Sequence, residues 1–210
     1  MKKYNEIQIP ESITEIIKNE KSCLVVWDVQ NALVNRIFNK PVFLEKLKKL
    51  LAVARDRVPI FYTVITPLPK EFQSSWSIYS MMRRFKVDDP NKLPNFMAPG
   101  SNDREIPMEV FPQKMDVVME KSTPNIFLGT NFESMLRNRG IETIIFTGIA
   151  TEMGIEHSAR DASARGFYPV VVSDAVSSMD PNGHERSLIT MQNMLIVEES
   201  EKIMKILSEN

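Results

Sequence analysis

Apolar residues follow two rhythms along this chain, and the two alternate. Cys23 to Trp27 is an unbroken apolar run, the form of a strand buried on both faces of a parallel sheet. Phe43, Leu44, Leu47, Leu50, Leu51 and Ala54 then recur at helical spacing. Pro59 to Ile65 reads as the next strand, with the proline at its first position, where no ladder donor is lost. Strand signals return at Asp116–Met119, at the β-branched run Thr143–Thr147, at Phe167–Ser173 and at Met194–Val197. The helical stretches between them have readable ends. Residues 11–20 suggest a short N-terminal helix. Thr130-Asn131-Phe132-Glu133 has capping-box form, with Glu133 reaching back to the cap amide, and Gly140 closes that helix. The helix after Gly154 carries Glu156–Arg160 and Asp161–Arg165 at i,i+4 and stops at Gly166. Asp180-Pro181 is an N-cap followed by a proline at the first helical position, and a terminal helix follows the last strand.

One stretch breaks the alternation. Residues 67–112 hold the prolines at 67, 69, 90, 94, 99, 107 and 112, and only Trp76 to Phe85 has helical character there. An irregular segment of this length usually carries function or covers a pocket, or here reaches a neighbouring subunit. Elsewhere the strand–helix alternation predicts an α/β fold: a single-domain, doubly wound, mostly parallel six-stranded sheet with helices on both faces. Residues 1–210 then form one domain, with 20–200 as its core.

Composition narrows the partners. At 43% hydrophobic and 25% charged residues, the chain has the balance of a soluble globular protein. A net charge of −1 gives no electrostatic case for nucleic acid or an anionic membrane, and Arg83-Arg84-Phe85-Lys86 reads as a solvated helix face. No apolar run approaches a membrane span, and no signal-peptide core follows Met1-Lys2-Lys3. A single cysteine excludes an internal disulfide framework and fits a reducing compartment, so a cytoplasmic location is expected.

Four motifs carry the candidate chemistry. Leu24-Val25-Val26-Trp27-Asp28-Val29-Gln30-Asn31 is an apolar strand ending in Asp-x-Gln-Asn. Val117-Val118-Met119-Glu120-Lys121 is a strand ending in lysine, followed by Asn125-Ile126-Phe127-Leu128-Gly129-Thr130. Thr147-Gly148-Ile149-Ala150-Thr151-Glu152-Met153-Gly154 joins a strand to a helix that continues Ser158-Ala159-Arg160-Asp161-Ala162. Val170-Val171-Val172-Ser173-Asp174-Ala175 comes last, before His184-Glu185. In this order, over residues 20 to 200, the motifs resemble the isochorismatase-like cysteine hydrolases. That family has a catalytic Asp, Lys and Cys at the carboxyl ends of strands, where open α/β sheets bind ligands. The resemblance places Asp28 and Lys121 on the first two members. Gly154 stands where the cysteine belongs.

The resemblance implies further features. The Ile149–Ala150 peptide is expected to be cis, with the backbone N–H groups of Ala150 and Gly154 forming an oxyanion hole. Gln30, Phe127 and Ile149 are assigned to the pocket. The assembly is expected to be a homo-oligomer, dimer or larger, and no cofactor is implied. Nicotinamidase-type members hold a metal through an Asp-x-His and further histidines; residues 63–75 contain no His, so no metal site is expected.

Without a thiol, acyl transfer cannot run on this turn. A glycine there is expected to open space above the helix N-terminus, where amides and dipole favour an anionic group. Isochorismatases proper also carry Gly at this place and protonate an enol ether from the Asp. This chain departs from them too: their Tyr-Ala-His reads Ala150-Thr151-Glu152, and the Gln after their second strand is replaced by Ile65 and Thr66. Other nucleophiles are poorly placed. Cys23 begins a core strand, and Thr151 and Ser158 have no His base set beside them by any motif. His157 reads as a helix-face residue and His184 as part of a structural His-Glu pair. Two readings remain. One is a cofactor-free hydrolase of a small anionic metabolite, with Asp28 as general acid/base and Lys121 setting its charge. The other is an inactive scaffold that retains a ligand pocket or an interface.

Overall fold

The computed structural model describes residues 1–210. The chain opens with an antiparallel hairpin, β1 (Lys2–Tyr4) and β2 (Ile7–Ile9), that the hydrophobic pattern does not announce: all six of its residues are exposed. The expected helix over 11–20 shrinks to α1 (Ile13–Ile16), capped by Ser12, and a 3-10 turn at Asn19–Lys21.

The rest is built on β3 (Ser22–Trp27), β4 (Ile60–Ile65), β5 (Val117–Lys121), β6 (Thr143–Ile149), β7 (Tyr168–Ser177) and β8 (Ile196–Glu198). They form one sheet in the order β5-β4-β3-β6-β7-β8, and every pairing is parallel. β3 lies in the middle and all its residues are buried, which explains its unbroken apolar run. Its side chains alternate between two cores. Leu24 and Val26 join the cluster beneath α3 (Lys40–Ala54) and α8 (Ser200–Glu209); Cys23, Val25 and Trp27 join the cluster shared with α5 (Phe132–Arg139) and α6 (Glu156–Ala164). α2 (Asn31–Val34) follows β3, and α7 (Pro181–Gln192) adds Met191 to the second core.

The chain winds from β3 outward through β4 to β5, then crosses back to start again at β6 beside β3. The reversal point at the carboxyl ends of β3 and β6 is where such sheets hold their sites. Asp28 and the 150–154 turn both leave the sheet there.

Some local expectations change. Residues 67–112 contain α4 (Ser75–Phe85) and 3-10 turns at Lys70–Phe72, Pro90–Lys92, Asn102–Arg104 and Met108–Val110. The capping box at 130–133 is not closed. Thr130 Oγ1 accepts from the Phe132 amide and donates to the Ile126 carbonyl, while the Glu133 carboxylate turns to Arg137 and Arg165. Two guanidinium groups outcompete one backbone amide for that carboxylate. Gly140 ends α5 in the left-handed conformation, and the Glu156–Arg160 and Asp161–Arg165 pairs form at 2.7 and 3.0 Å.

Candidate active site

β3 stops because Asp28 turns the chain with φ of +48°, a left-handed conformation that Asp tolerates better than most residues. The Asp28 amide donates to the Thr63 carbonyl and hydroxyl, both at 3.1 Å. The Thr63 hydroxyl in turn donates to Asp28 Oδ1 at 2.6 Å. Lys121, the last residue of β5, reaches over from the sheet edge and donates to Asp28 Oδ2 at 2.7 Å. Both charged groups are buried. Burial pushes the Asp28 carboxyl up, against the opposing pull of the Lys121 ammonium and the Thr63 hydroxyl. Burial likewise pushes the Lys121 ammonium down, against the pull of Asp28.

A third side chain, to which the motifs gave no role, meets the pair. Trp27 directs its indole across the turn and onto Gly154. A Cβ built on Gly154 would fall 2.5 Å from Trp27 Cζ2 and closer still to Nε1 and Cε2. The expected open space above Gly154 therefore does not exist: the indole occupies it. Trp27 is almost completely buried, so the ring has nowhere to retreat. Lys121 Nζ sits 4.1 Å from the centroid of the same ring, in cation–π contact. Gly148 completes the fit beneath. It has φ of +116° and pairs with Trp27 in register, and any Cβ there would strike the Trp27 backbone. The sequence signal for this arrangement is one of size: the large ring of Trp27 stands before Asp28, and a glycine stands at 154, where the ring lands.

The turn leaves β6 through a cis Ile149–Ala150 peptide. Residues Thr151–Ile155 make a π-helical turn, and the Ala150 carbonyl accepts from the amides of Met153 and Ile155, both at 3.3 Å. Thr151 does have a histidine partner, contrary to expectation: its hydroxyl lies 2.8 Å from His184 Nδ1 in α7. Thr151 is completely buried, so the contact fastens the turn to α7 and offers no exposed nucleophile. Ser158 is also buried and accepts from the Ile126 amide at 3.2 Å. Cys23 lies in the core, where burial holds its thiol far above the usual range.

The residues assigned to the pocket are all buried. Gln30 is completely buried; its side chain donates to the Arg104 carbonyl at 3.0 Å and accepts from the Ile65 amide at 2.8 Å. It clamps the 102–104 turn to the end of β4. Phe127 is a core residue, packed on Phe132 and Phe167 with the Arg165 guanidinium over its ring at 4.8 Å. Ile149 is buried in the other core, at the end of β6. Two of the surface cavities have volumes of about 360 Å³ each. One is bounded by Glu152, His157 and Arg160, the other by Asn31, Lys40 and Glu105; neither is lined by Asp28, Lys121, Trp27 or Gly154. No three His, Cys, Asp or Glu side chains stand together as metal ligands do.

The fold coincides with that of known proteins. The Isochorismatase domain matches residues 22–201. The chain belongs to the isochorismatase family. The ureidoacrylate amidohydrolase RutB of Rhizobium rhizogenes is 29% identical over 194 residues, covering 82% of this chain and 76% of that protein. Among solved structures, an isochorismatase family protein of Burkholderia thailandensis superposes with a TM-score of 0.74 at 27% identity, covering 90% of this chain and 96% of the other. A cysteine hydrolase of Pseudomonas syringae pv. phaseolicola gives a TM-score of 0.75 at 22% identity over 92% of this chain and 95% of its own. This is a family of hydrolases, and in the present isochorismatase-family chain Gly154 and the Trp27 indole pack together beside the Asp28–Lys121 pair. No helix is long and apolar enough to cross a membrane.

Proposed function

We propose that this chain is an isochorismatase-family scaffold whose nucleophile place is closed by its own Trp27, and that it performs no acyl transfer. The observation that carries this reading is the packing of the indole on Gly154. A thioester needs a thiolate at that Cβ and room above it for a carbonyl, and both volumes are taken. The remaining pair fits the same reading. Asp28 and Lys121 neutralise each other, and the Thr63 hydroxyl accepts from the Asp28 amide and donates to its carboxylate. The test is hydrolysis of ureidoacrylate and nicotinamide by the purified chain, followed as ammonia release. The expected result is release at the rate of buffer alone. Turnover by the wild-type chain would overturn the reading.

A second reading is favoured by one specific observation. Asp28 combines a left-handed backbone with a carboxyl that burial pushes up, and strain and perturbed pKa values cluster at functional sites. A proton-transfer hydrolase of a small anionic metabolite, with Asp28 as acid and no covalent intermediate, would use such a group. A hydrolysis that disappears in Asp28→Asn while the variant stays folded would select this reading over the scaffold.

A further inference from the structure

α4 is hydrogen-bonded to the rest of the chain through a single sulfur atom. One side of the helix is half-buried, with the Phe85 ring 5.8 Å from that of Phe96, but none of its residues is fully buried. Arg84 Nη2 donates to Met153 Sδ at 3.2 Å, and α4 makes no other hydrogen bond outside residues 74–87. The two partners are unequally matched. A guanidinium is a strong, charged donor, and a thioether sulfur is a weak acceptor. Arg84 has no carboxylate to turn to: it makes no ion pair, although pairs form throughout the rest of the chain. Met153 is 41% exposed and belongs to neither core. It stands next to Gly154, in the wall of the cavity that Glu152, His157 and Arg160 also bound.

We propose that Met153 is a reversible oxidation site read by Arg84: a hydroperoxide converts the thioether to the sulfoxide, and the new oxygen takes the guanidinium bond and fastens α4 to the turn. A sulfur lone pair attacks one oxygen of hydrogen peroxide, and the S–O bond forms as the O–O bond breaks. The sulfur loses two electrons, the peroxide is reduced, and the departing hydroxide takes the proton of the transferred oxygen and leaves as water. The product presents a polar oxygen to a charged donor, in place of a soft sulfur. α4 can shift to admit that oxygen because no residue of it is locked in a core. The other exposed methionines lack this arrangement. Met108 and Met115 are 81% and 87% exposed, and neither sulfur accepts a hydrogen bond. Met194 Sδ lies 3.0 Å from Arg160 Nη1, but that guanidinium is already paired with Glu156 at 2.7 Å. Met153 alone joins an accessible sulfur to a guanidinium without a counter-ion. The inference is independent of whether the site around Asp28 turns anything over.

The experiment treats the full chain with hydrogen peroxide, maps the oxidised methionines by peptide mass spectrometry, and follows amide hydrogen exchange over residues 75–85. Met153 is expected to oxidise along with Met108 and Met115. Exchange of α4 should then slow by about tenfold, the effect of replacing a weak acceptor by one that takes a charge-assisted bond. Treatment with the two methionine sulfoxide reductases should return it to the starting rate. Two variants carry the controls, and both change exposed side chains only. In Met153→Leu the other methionines still oxidise, and α4 should exchange at the same rate before and after peroxide. In Arg84→Ala Met153 still oxidises, and α4 should again be indifferent. A Met153 that stays reduced while Met108, Met115 and Met194 are fully oxidised overturns the proposal. So does an oxidised wild type whose α4 exchanges as fast as before or faster. A slowing that persists in Met153→Leu or in Arg84→Ala overturns it as well, because it would come from another methionine or another donor.

Discussion

The indole of Trp27 and the backbone of Gly154 form one contact in which neither residue tolerates a change in the other's size. A Cβ on residue 154 would lie 2.5 Å from Trp27 Cζ2 and nearer to Nε1. Gly154→Ala should therefore destabilise the fold by about 3 kcal/mol, the upper part of the overpacking range, even though alanine favours a helical turn over glycine. Trp27→Val alone should cost as much or more, through the cavity it leaves. Combined, the two should cost less than the sum of the separate effects, with a coupling of about 1–3 kcal/mol. Urea unfolding of the four proteins measures this. Strictly additive effects would mean that the ring does not rest on the glycine.

The Asp28–Lys121 pair should behave as a buried ion pair that is dangerous to halve and cheap to remove. Asp28→Asn strands the Lys121 ammonium, which is buried and otherwise touches only the Trp27 ring. The expected loss is about 3–5 kcal/mol. Asp28→Asn with Lys121→Met removes both charges, keeps at 28 a residue that tolerates the left-handed turn, leaves Thr63 its contact with the backbone amide, and should lie within about 2 kcal/mol of the wild type. Thermal and chemical unfolding of both variants decide it. A double variant as damaged as Asp28→Asn would show that the charges themselves hold the site together.

Much of the fold was legible because its signals are local. The apolar run of β3, the Gly140 and Gly166 stops and the Asp180 cap each depend on a few adjacent residues, and each appears in the structure. The positions of Asp28 and Lys121 were readable because each closes a strand. What stayed hidden depends on side chains distant in sequence. The meeting of Trp27 with Gly154 is a matter of volume across two strands, and nothing in either motif alone displays it. Thr151 and His184 are joined only once α7 folds back on the turn. Gln30 and Phe127 were assigned from their motifs, while their duties are set by Arg104 and by Phe132 and Phe167.

Stability should fall in acid partly through Asp174, a residue of β7. It accepts from the Ser200 amide and hydroxyl, both at 2.7 Å, and pairs with Lys46 at 2.9 Å, so it ties α3 and the start of α8 to the sheet. Burial pushes its carboxyl up, but Lys46 and the two Ser200 bonds outweigh that and hold it below its ordinary 3.8. The folded protein therefore binds this proton less readily than the unfolded chain. The contribution is present above the ordinary value and is lost as pH falls through the depressed one. Asp174→Asn should cost about 1–3 kcal/mol at pH 7 and little at strongly acid pH. Urea midpoints measured from neutral to strongly acid pH check this, and a constant difference across the series would remove Asp174 from the acid response.

A thiol placed at position 154 should not by itself be reactive. In Gly154→Cys the sulfur must share the space of the Trp27 indole, so the variant is expected to be destabilised and its thiol unreactive toward Ellman's reagent in the folded state. Replacing the ring as well, in Trp27→Val with Gly154→Cys, opens that volume beside Lys121. Two effects then compete on the new thiol. Burial pushes its pKa up, and the nearby ammonium pulls it down. Because Asp28 still holds Lys121 at 2.7 Å and neutralises much of its charge, the net activation should be small. The expected outcome is labelling of the double variant that is clearly faster than that of the single one and close to the rate of an ordinary exposed cysteine. Cys23 adds no background, since it is buried in the core. Rapid labelling of Gly154→Cys with Trp27 intact would show that the indole swings aside in solution, and that the closed place over Gly154 opens without any change to the ring.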